Sequence, residues 1–120
     1  MTNVETISRD ELTAKIARHD NFRLIEVLSE SEYHRAHLPG AINMPPDQIT
    51  RLAPKRLRDR DAEIVVYSDT PTSEIAQAAA RELTEIGYTH VRDYVEGKQD
   101  WIDSGLPVQS DLERTHEESQ

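Results

Sequence analysis

The stretch Glu63-Ile-Val-Val-Tyr-Ser68-Asp-Thr-Pro-Thr-Ser73-Glu-Ile-Ala76 decides how this chain is read. Ile64 to Tyr67 form an uninterrupted apolar and aromatic run, the pattern of a short strand covered on both faces, as parallel sheets require. Helical spacing follows almost at once. Ile75, Ala79, Leu83 and Ile86 share one face, Thr72 or Ser73 can cap the start, and Gly87 suits a left-handed residue at the end. The polar loop Ser68 to Ser73 is thereby predicted between the carboxyl end of a strand and the amino end of a helix. Ligands bind at such places in open α/β sheets, because free helix N–H groups and the positive end of the helix dipole face the crevice.

Upstream, Ser8-Arg-Asp-Glu11 has the form of a capping box, and Leu12 and Ile16 continue it as a short amphipathic helix from about Arg9 to Arg18. Val4 to Ile7 reads as an added edge strand. Phe22 to Leu28 is a second strong strand, unusual for Glu26 in an otherwise apolar run. On pattern alone that glutamate faces solvent. Ser29 to Glu32 offers a second capping box before a helix over Glu30 to Ala36, and His37-Leu-Pro-Gly40 turns the chain into a small strand over Ala41 to Met44. Pro45-Pro46-Asp47 opens another short helix, which Pro54 is expected to stop or restart. Beyond Gly87, His90 to Val95 reads as a strand and Lys98 to Ser104 as a last helix, with Trp101 in the core. The alternation of strand and helix with short joins predicts an α/β fold in which helices cover a parallel sheet.

The chain has 120 residues and no internal repeat, so residues 1–108 are expected to form one domain and residues 109–120, polar and without periodicity, a disordered acidic tail. No stretch approaches the run of roughly 18 apolar residues that a membrane helix needs, and the polar start has no signal-peptide character. A cytoplasmic location is the resulting expectation. The net charge of −9 speaks against nucleic acid and anionic membranes as partners. There is no cysteine, which excludes disulfides, thiolate metal sites and thiol nucleophiles. Arginine outnumbers lysine 11 to 3, a bias that no site explains.

Several spaced segments resemble the single rhodanese-like domain. His37-Leu-Pro-Gly-Ala-Ile-Asn-Met-Pro45 is similar to the family's His-(Ile/Leu)-Pro-Gly-Ala-(Ile/Val)-Asn segment, and Ile64 to Tyr67 with its tight loop to the family's active-site strand. Gly87-Tyr88, Glu96-Gly97-Lys98 and Trp101 resemble the closing signature. The likeness runs from about Ile7 to Pro107. It implies a three-layer domain with a five-stranded parallel sheet and helices on both faces. It also implies a site at which a cysteine takes sulfur from thiosulfate or another donor, holds it as a persulfide and passes it on. That cysteine would fall at Ser68, and a second one found in some relatives would fall at Ser73.

Persulfide transfer needs a sulfur nucleophile that ionises near neutral pH. A thiol of pKa about 8.5, lowered at a helix N-terminus, can do so, whereas a serine hydroxyl needs a base. Ser68 has no evident base in its own segment, and His34, His37 and His90 lie in others. The loop is also poorly suited to an anion: Ser68 to Ser73 contains no cation, Asp69 adds negative charge and Pro71 removes an N–H donor. Phosphatases with a Cys-x5-Arg loop would need arginine where Glu74 stands. The site residues drawn from this reading are Ser68 at the cysteine position, the loop Asp69, Thr70, Pro71, Thr72, Ser73 and Glu74, and Glu26 and His37 as loop supports. Glu26 is expected to bond to backbone or to His37. No metal site and no cofactor are expected, and the partner expected is a weakly held small anionic sulfur compound, with no protein partner identifiable.

Three functions stay open at this point. The first is a binding or regulatory module without sulfurtransferase activity. The second is a thiosulfate-type sulfurtransferase whose cysteine is replaced by Ser68 in this chain. The third is a hydrolase using Ser68.

Overall fold

The apolar run of residues 64 to 67 is wholly buried in the computed structural model, which describes residues 4–110. It forms the central strand β4 (Ile64–Tyr67) of a five-stranded sheet that also contains β1 (Glu5–Thr6), β2 (Arg23–Glu26), β3 (Ile42–Asn43) and β5 (Val91–Asp93). The spatial order is β1-β5-β4-β2-β3, and every pairing is parallel. Strand alternation sends Ile64 and Val66 to one side and Val65 and Tyr67 to the other.

Each side carries its own core. Ile64 and Val66, with Ile25 of β2, pack under α3 (Ile49–Arg56) and α4 (Ile75–Glu85), through residues such as Ala53, Ala80 and Leu83. Val65 and Tyr67, with Leu24, pack under α1 (Arg9–Ala17) and α5 (Gly97–Asp103), through Leu12 and Trp101. Tyr94 stands edge-on to both Tyr67 and Trp101 in this second core. The fold is therefore a parallel five-stranded sheet between helices, as expected.

Local signals place three of the helix ends. Ser8 Oγ accepts the Glu11 N–H at 3.1 Å at the start of α1, and Ser29 Oγ accepts the Glu32 N–H at 3.3 Å at the start of α2 (Glu30–Arg35). At the end of α4 the Gly87 N–H bonds Thr84 O and the Tyr88 N–H bonds Leu83 O, each at 3.1 Å, with Gly87 at φ 110°. This is a Schellman closure, which needs a residue at positive φ.

Three expectations are corrected. Neither Thr72 nor Ser73 is the N-cap of α4: that position is Glu74, held left-handed at φ 61°, while Ser73 Oγ accepts the Ile75 N–H from one residue further back. Pro54 does not stop α3, which continues to Arg56 after a single 3-10 turn at Pro46–Gln48. Proline removes one helical bond there, but Ile49 and Ala53 bury completely against the sheet and the Leu57 N–H closes on Ala53 O at 2.7 Å. Finally, the stretch assigned to a tail from residue 109 begins on the domain. Gln109 and His37 exchange backbone bonds of 2.8 and 2.9 Å, and the Gln109 side-chain oxygen accepts the Gly40 N–H. Residues 111–120 of that expected tail lie outside the described residues.

Candidate functional site

Ser68 follows β4 directly and is 3% exposed. Its Oγ lies 2.6 Å from Ser73 Oγ, so the two hydroxyls close the loop across its base. Within the loop the Thr70 N–H donates to Asp69 Oδ1 at 2.9 Å and the Ser73 N–H to Thr70 O at 3.3 Å. Pro71 has no N–H to offer. The loop thus consumes part of the donor set that an anion would need.

The first turn of α5 holds the loop from below. The Lys98 N–H donates to Ser68 O at 2.8 Å and the Gln99 N–H to Asp69 O at 2.9 Å. Gly97 makes this approach possible: it sits at φ 80°, and a Cβ there would lie 2.8 Å from Asp69 O. Two otherwise orphaned N–H groups of a helix start are thereby satisfied by the carbonyls that follow β4.

Beside the loop is a cavity of about 130 Å³. Ser68, Thr70, Ser73 and Glu74 line it from the loop, Thr6 from β1 and Asp93 from β5. None of its lining residues is arginine, lysine or histidine. Asp93 shares the Val91 side of β5, beneath the start of α4, and is 5% exposed. Burial pushes its carboxyl up to about 6, and Oδ1 has no hydrogen-bond partner among the described residues.

On the opposite face of the sheet, Glu26 is fully buried and anchored. It accepts from Lys98 Nζ at 2.9 Å and from Tyr67 Oη at 2.7 Å, and Tyr67 Oη in turn accepts the Leu38 N–H at 3.1 Å. Burial holds the Glu26 carboxyl above the ordinary range, against the opposing effects of its bonds to Lys98 and Tyr67. The Lys98 ammonium also donates to Glu32 O and Ala36 O, at the end of α2. His37 serves a different group: its Nδ1–H donates to Tyr33 O at 2.8 Å and its ring stacks on Tyr33 at 3.9 Å between centroids.

Of the sequence-selected residues, Ser68, Thr70, Pro71, Ser73 and Glu74 line the cavity together, whereas Asp69 and Thr72 do not. Asp69 is turned to the Thr70 N–H, so the negative charge expected of it at the pocket comes from Glu74 and Asp93. Contrary to its pattern, Glu26 does not face solvent, and it meets Lys98 and Tyr67 rather than His37. Asp93 is not among the residues that the sequence selects, and Lys98 stands there only within the Glu96-Gly97-Lys98 segment, with no role at the site. For Asp93 a signal exists, a carboxylate two residues from Val91 and hence on the same inward face of a strand.

A family model for the rhodanese-like domain matches residues 8–104. The chain belongs to the rhodanese-like family. The thiosulfate:glutathione sulfurtransferase of Saccharomyces cerevisiae is 25% identical over 118 residues, covering 88% of this chain and 83% of that protein. The HTH-type transcriptional regulator Rv0324 of Mycobacterium tuberculosis is 31% identical over 104 residues, 87% of this chain but 44% of the regulator. Among solved structures, the BH2092 protein of Bacillus halodurans superposes with a TM-score of 0.83 at 23% identity, over 90% of this chain and 78% of that one. The rhodanese-like domain described here spans about half or less of the length of several curated relatives it matches. Among its described residues no helix is long and apolar enough to cross a membrane.

Proposed function

We propose that this is a rhodanese-like domain without sulfurtransferase activity, acting as a binding or regulatory module, with Ser68 at the position of the family's cysteine. The observation that carries this reading is the Ser68–Ser73 hydroxyl pair, 2.6 Å apart at the carboxyl end of β4 in a chain with no cysteine. Neither hydroxyl can carry a persulfide, and a serine ionises usefully only beside a base. Ser68 Oγ is bonded to another hydroxyl, and no histidine lines the cavity, which counts against a hydrolase. A regulatory role is supported by the relative named as a transcriptional regulator, in which the matched stretch is less than half of the protein. A cytoplasmic location fits the chain's charge and its lack of an apolar run.

A second reading, a sulfurtransferase whose cysteine is replaced by Ser68 in this chain, is favoured by the yeast relative named as thiosulfate:glutathione sulfurtransferase. One assay separates the two. The chain as given should form no thiocyanate from thiosulfate and cyanide above background. Ser68→Cys should remain silent if the loop is built for binding, because Glu74 and Asp93 oppose an anionic donor, and should recover strong turnover if only the nucleophile is missing. Robust turnover by the cysteine-free chain would overturn both.

A further inference from the structure

The cavity beside the Ser68 loop is lined by a residue with a buried polar atom that has no hydrogen-bond partner among the described residues. The residue is Asp93 and the atom its Oδ1. A buried carboxylate oxygen without a donor is costly, and native structures seldom keep one unless something else supplies the donor. The remaining polar lining carries no positive charge. Four hydroxyls, from Thr6, Ser68, Thr70 and Ser73, the carboxamide of Gln77 and a second carboxylate, Glu74, surround the same space, with no basic side chain among the lining residues to balance the two carboxylates.

We propose that this cavity binds the ammonium head of a small hydroxylated organic amine, whose N–H groups bond Asp93 and whose hydroxyl bonds the Ser68–Ser73 pair. The charge balance favours a cation: the amino end of α4 acts as about half a positive charge, against two full carboxylate charges. At roughly 30 Å³ per water, about 130 Å³ holds a ligand of only a few heavy atoms. Among the described residues no three His, Cys, Asp or Glu side chains converge to hold a metal ion. The inference deepens the reading of this pocket as a binding site rather than a cradle for a sulfur anion. Burial holds the Asp93 carboxyl at about 6, and an ammonium bonded to it would bring that value down. Glu74 is the other titratable group facing the cavity.

The test is a chemical-shift titration of the whole chain with ethanolammonium, at constant ionic strength set with potassium chloride. Amide shifts should concentrate at Ser68, Thr70, Ser73 and Asp93, saturating in the millimolar range. Ethylene glycol, which lacks the charge, and tetramethylammonium, which lacks N–H donors, should each bind at least tenfold more weakly. Asp93→Asn should weaken ethanolammonium at least tenfold, and Glu74→Gln two- to threefold. The Asp93 carboxyl titration should move to lower pH when the amine is bound. Equal binding of ethylene glycol would overturn the proposal in favour of a neutral polyol, and absence of saturable shifts would leave the cavity to water. Thiocyanate turnover would overturn the non-catalytic reading whatever the amine does, whereas missing amine shifts would overturn this inference alone.

Discussion

Lys98 Nζ lies 2.9 Å from Glu26 Oε2, a buried ion pair that ties the first turn of α5 to the carboxyl end of β2 across 72 residues of sequence. The same ammonium donates to Glu32 O at 3.1 Å and Ala36 O at 2.7 Å, so one side chain joins three elements. Such a pair adds little over an apolar replacement of both partners, but removal of one partner strands the other. Lys98→Met should therefore cost about 3 to 5 kcal/mol in denaturant unfolding, since Glu26 is left in the core without its cation and must stay charged there or take up a proton. Glu26→Gln combined with Lys98→Met should cost clearly less than the sum of the two single changes. Strict additivity would mean that the pair does not couple.

Asp93 has the opposite character, a buried carboxylate whose Oδ1 has no hydrogen-bond partner among the described residues. Its folded pKa of about 6 lies above the ordinary value of 3.8, so the protonated form is favoured on folding. The resulting stabilisation is fully present below about pH 4 and is lost as pH rises through about 6. At 1.36 kcal/mol per unit the loss is at most about 3 kcal/mol, less if water enters the cavity. Asp93→Asn should consequently raise the stability of the ligand-free chain at pH 7 and leave it little changed at pH 4. Thermal unfolding at the two pH values checks this, and a variant less stable at pH 7 than the parent would contradict it.

These two carboxylates mark the limit of what the sequence discloses. β4 is legible because both of its faces are covered, which writes the strand as four apolar residues in a row. The caps of α1 and α2 are legible because a capping box is local. The partner of Glu26 is not, because Lys98 lies 72 positions away and its helix has no apolar pattern that distinguishes that lysine. The start of α4 is misread for a different reason: Glu74 takes a left-handed conformation that non-glycine residues seldom adopt, and no side-chain pattern announces it. The cavity is half legible. Its loop side follows from the strand–loop–helix pattern, but Thr6 and Asp93 come from two other strands and meet it only through the sheet order.

Gly97 fixes how closely α5 approaches that loop. A methyl group there would stand 2.8 Å from Asp69 O and 2.9 Å from Asp69 C, both backbone atoms, and the position has φ 80°. Gly97→Ala should cost about 1 to 3 kcal/mol through left-handed strain and loop displacement together. The Lys98 N–H and Gln99 N–H, which donate to Ser68 O and Asp69 O, should then lose protection in hydrogen exchange. Unchanged protection with lower stability would confine the effect to strain at Gly97 itself.

Thiosulfate binding brings the charges of the pocket into direct competition with its helix. The amino end of α4 offers an exposed anion about 0.3 to 1 kcal/mol. Against it stand Glu74 and Asp93, which line the cavity, while the Thr70 N–H is already taken by Asp69 Oδ1. At an effective dielectric near 20 a like charge at about 6 Å costs roughly 3 kcal/mol before screening, so either carboxylate outweighs the helix. Thiosulfate should accordingly bind no tighter than millimolar. Glu74→Gln combined with Asp93→Asn should tighten it at least tenfold, the reverse of the effect expected of Asp93→Asn on an amine. Asp69→Ala, which frees the Thr70 N–H, should help less, because Asp69 does not line the cavity. Calorimetric titration decides the matter: micromolar thiosulfate binding by the unchanged chain would mean that the loop's N–H groups outweigh both carboxylates.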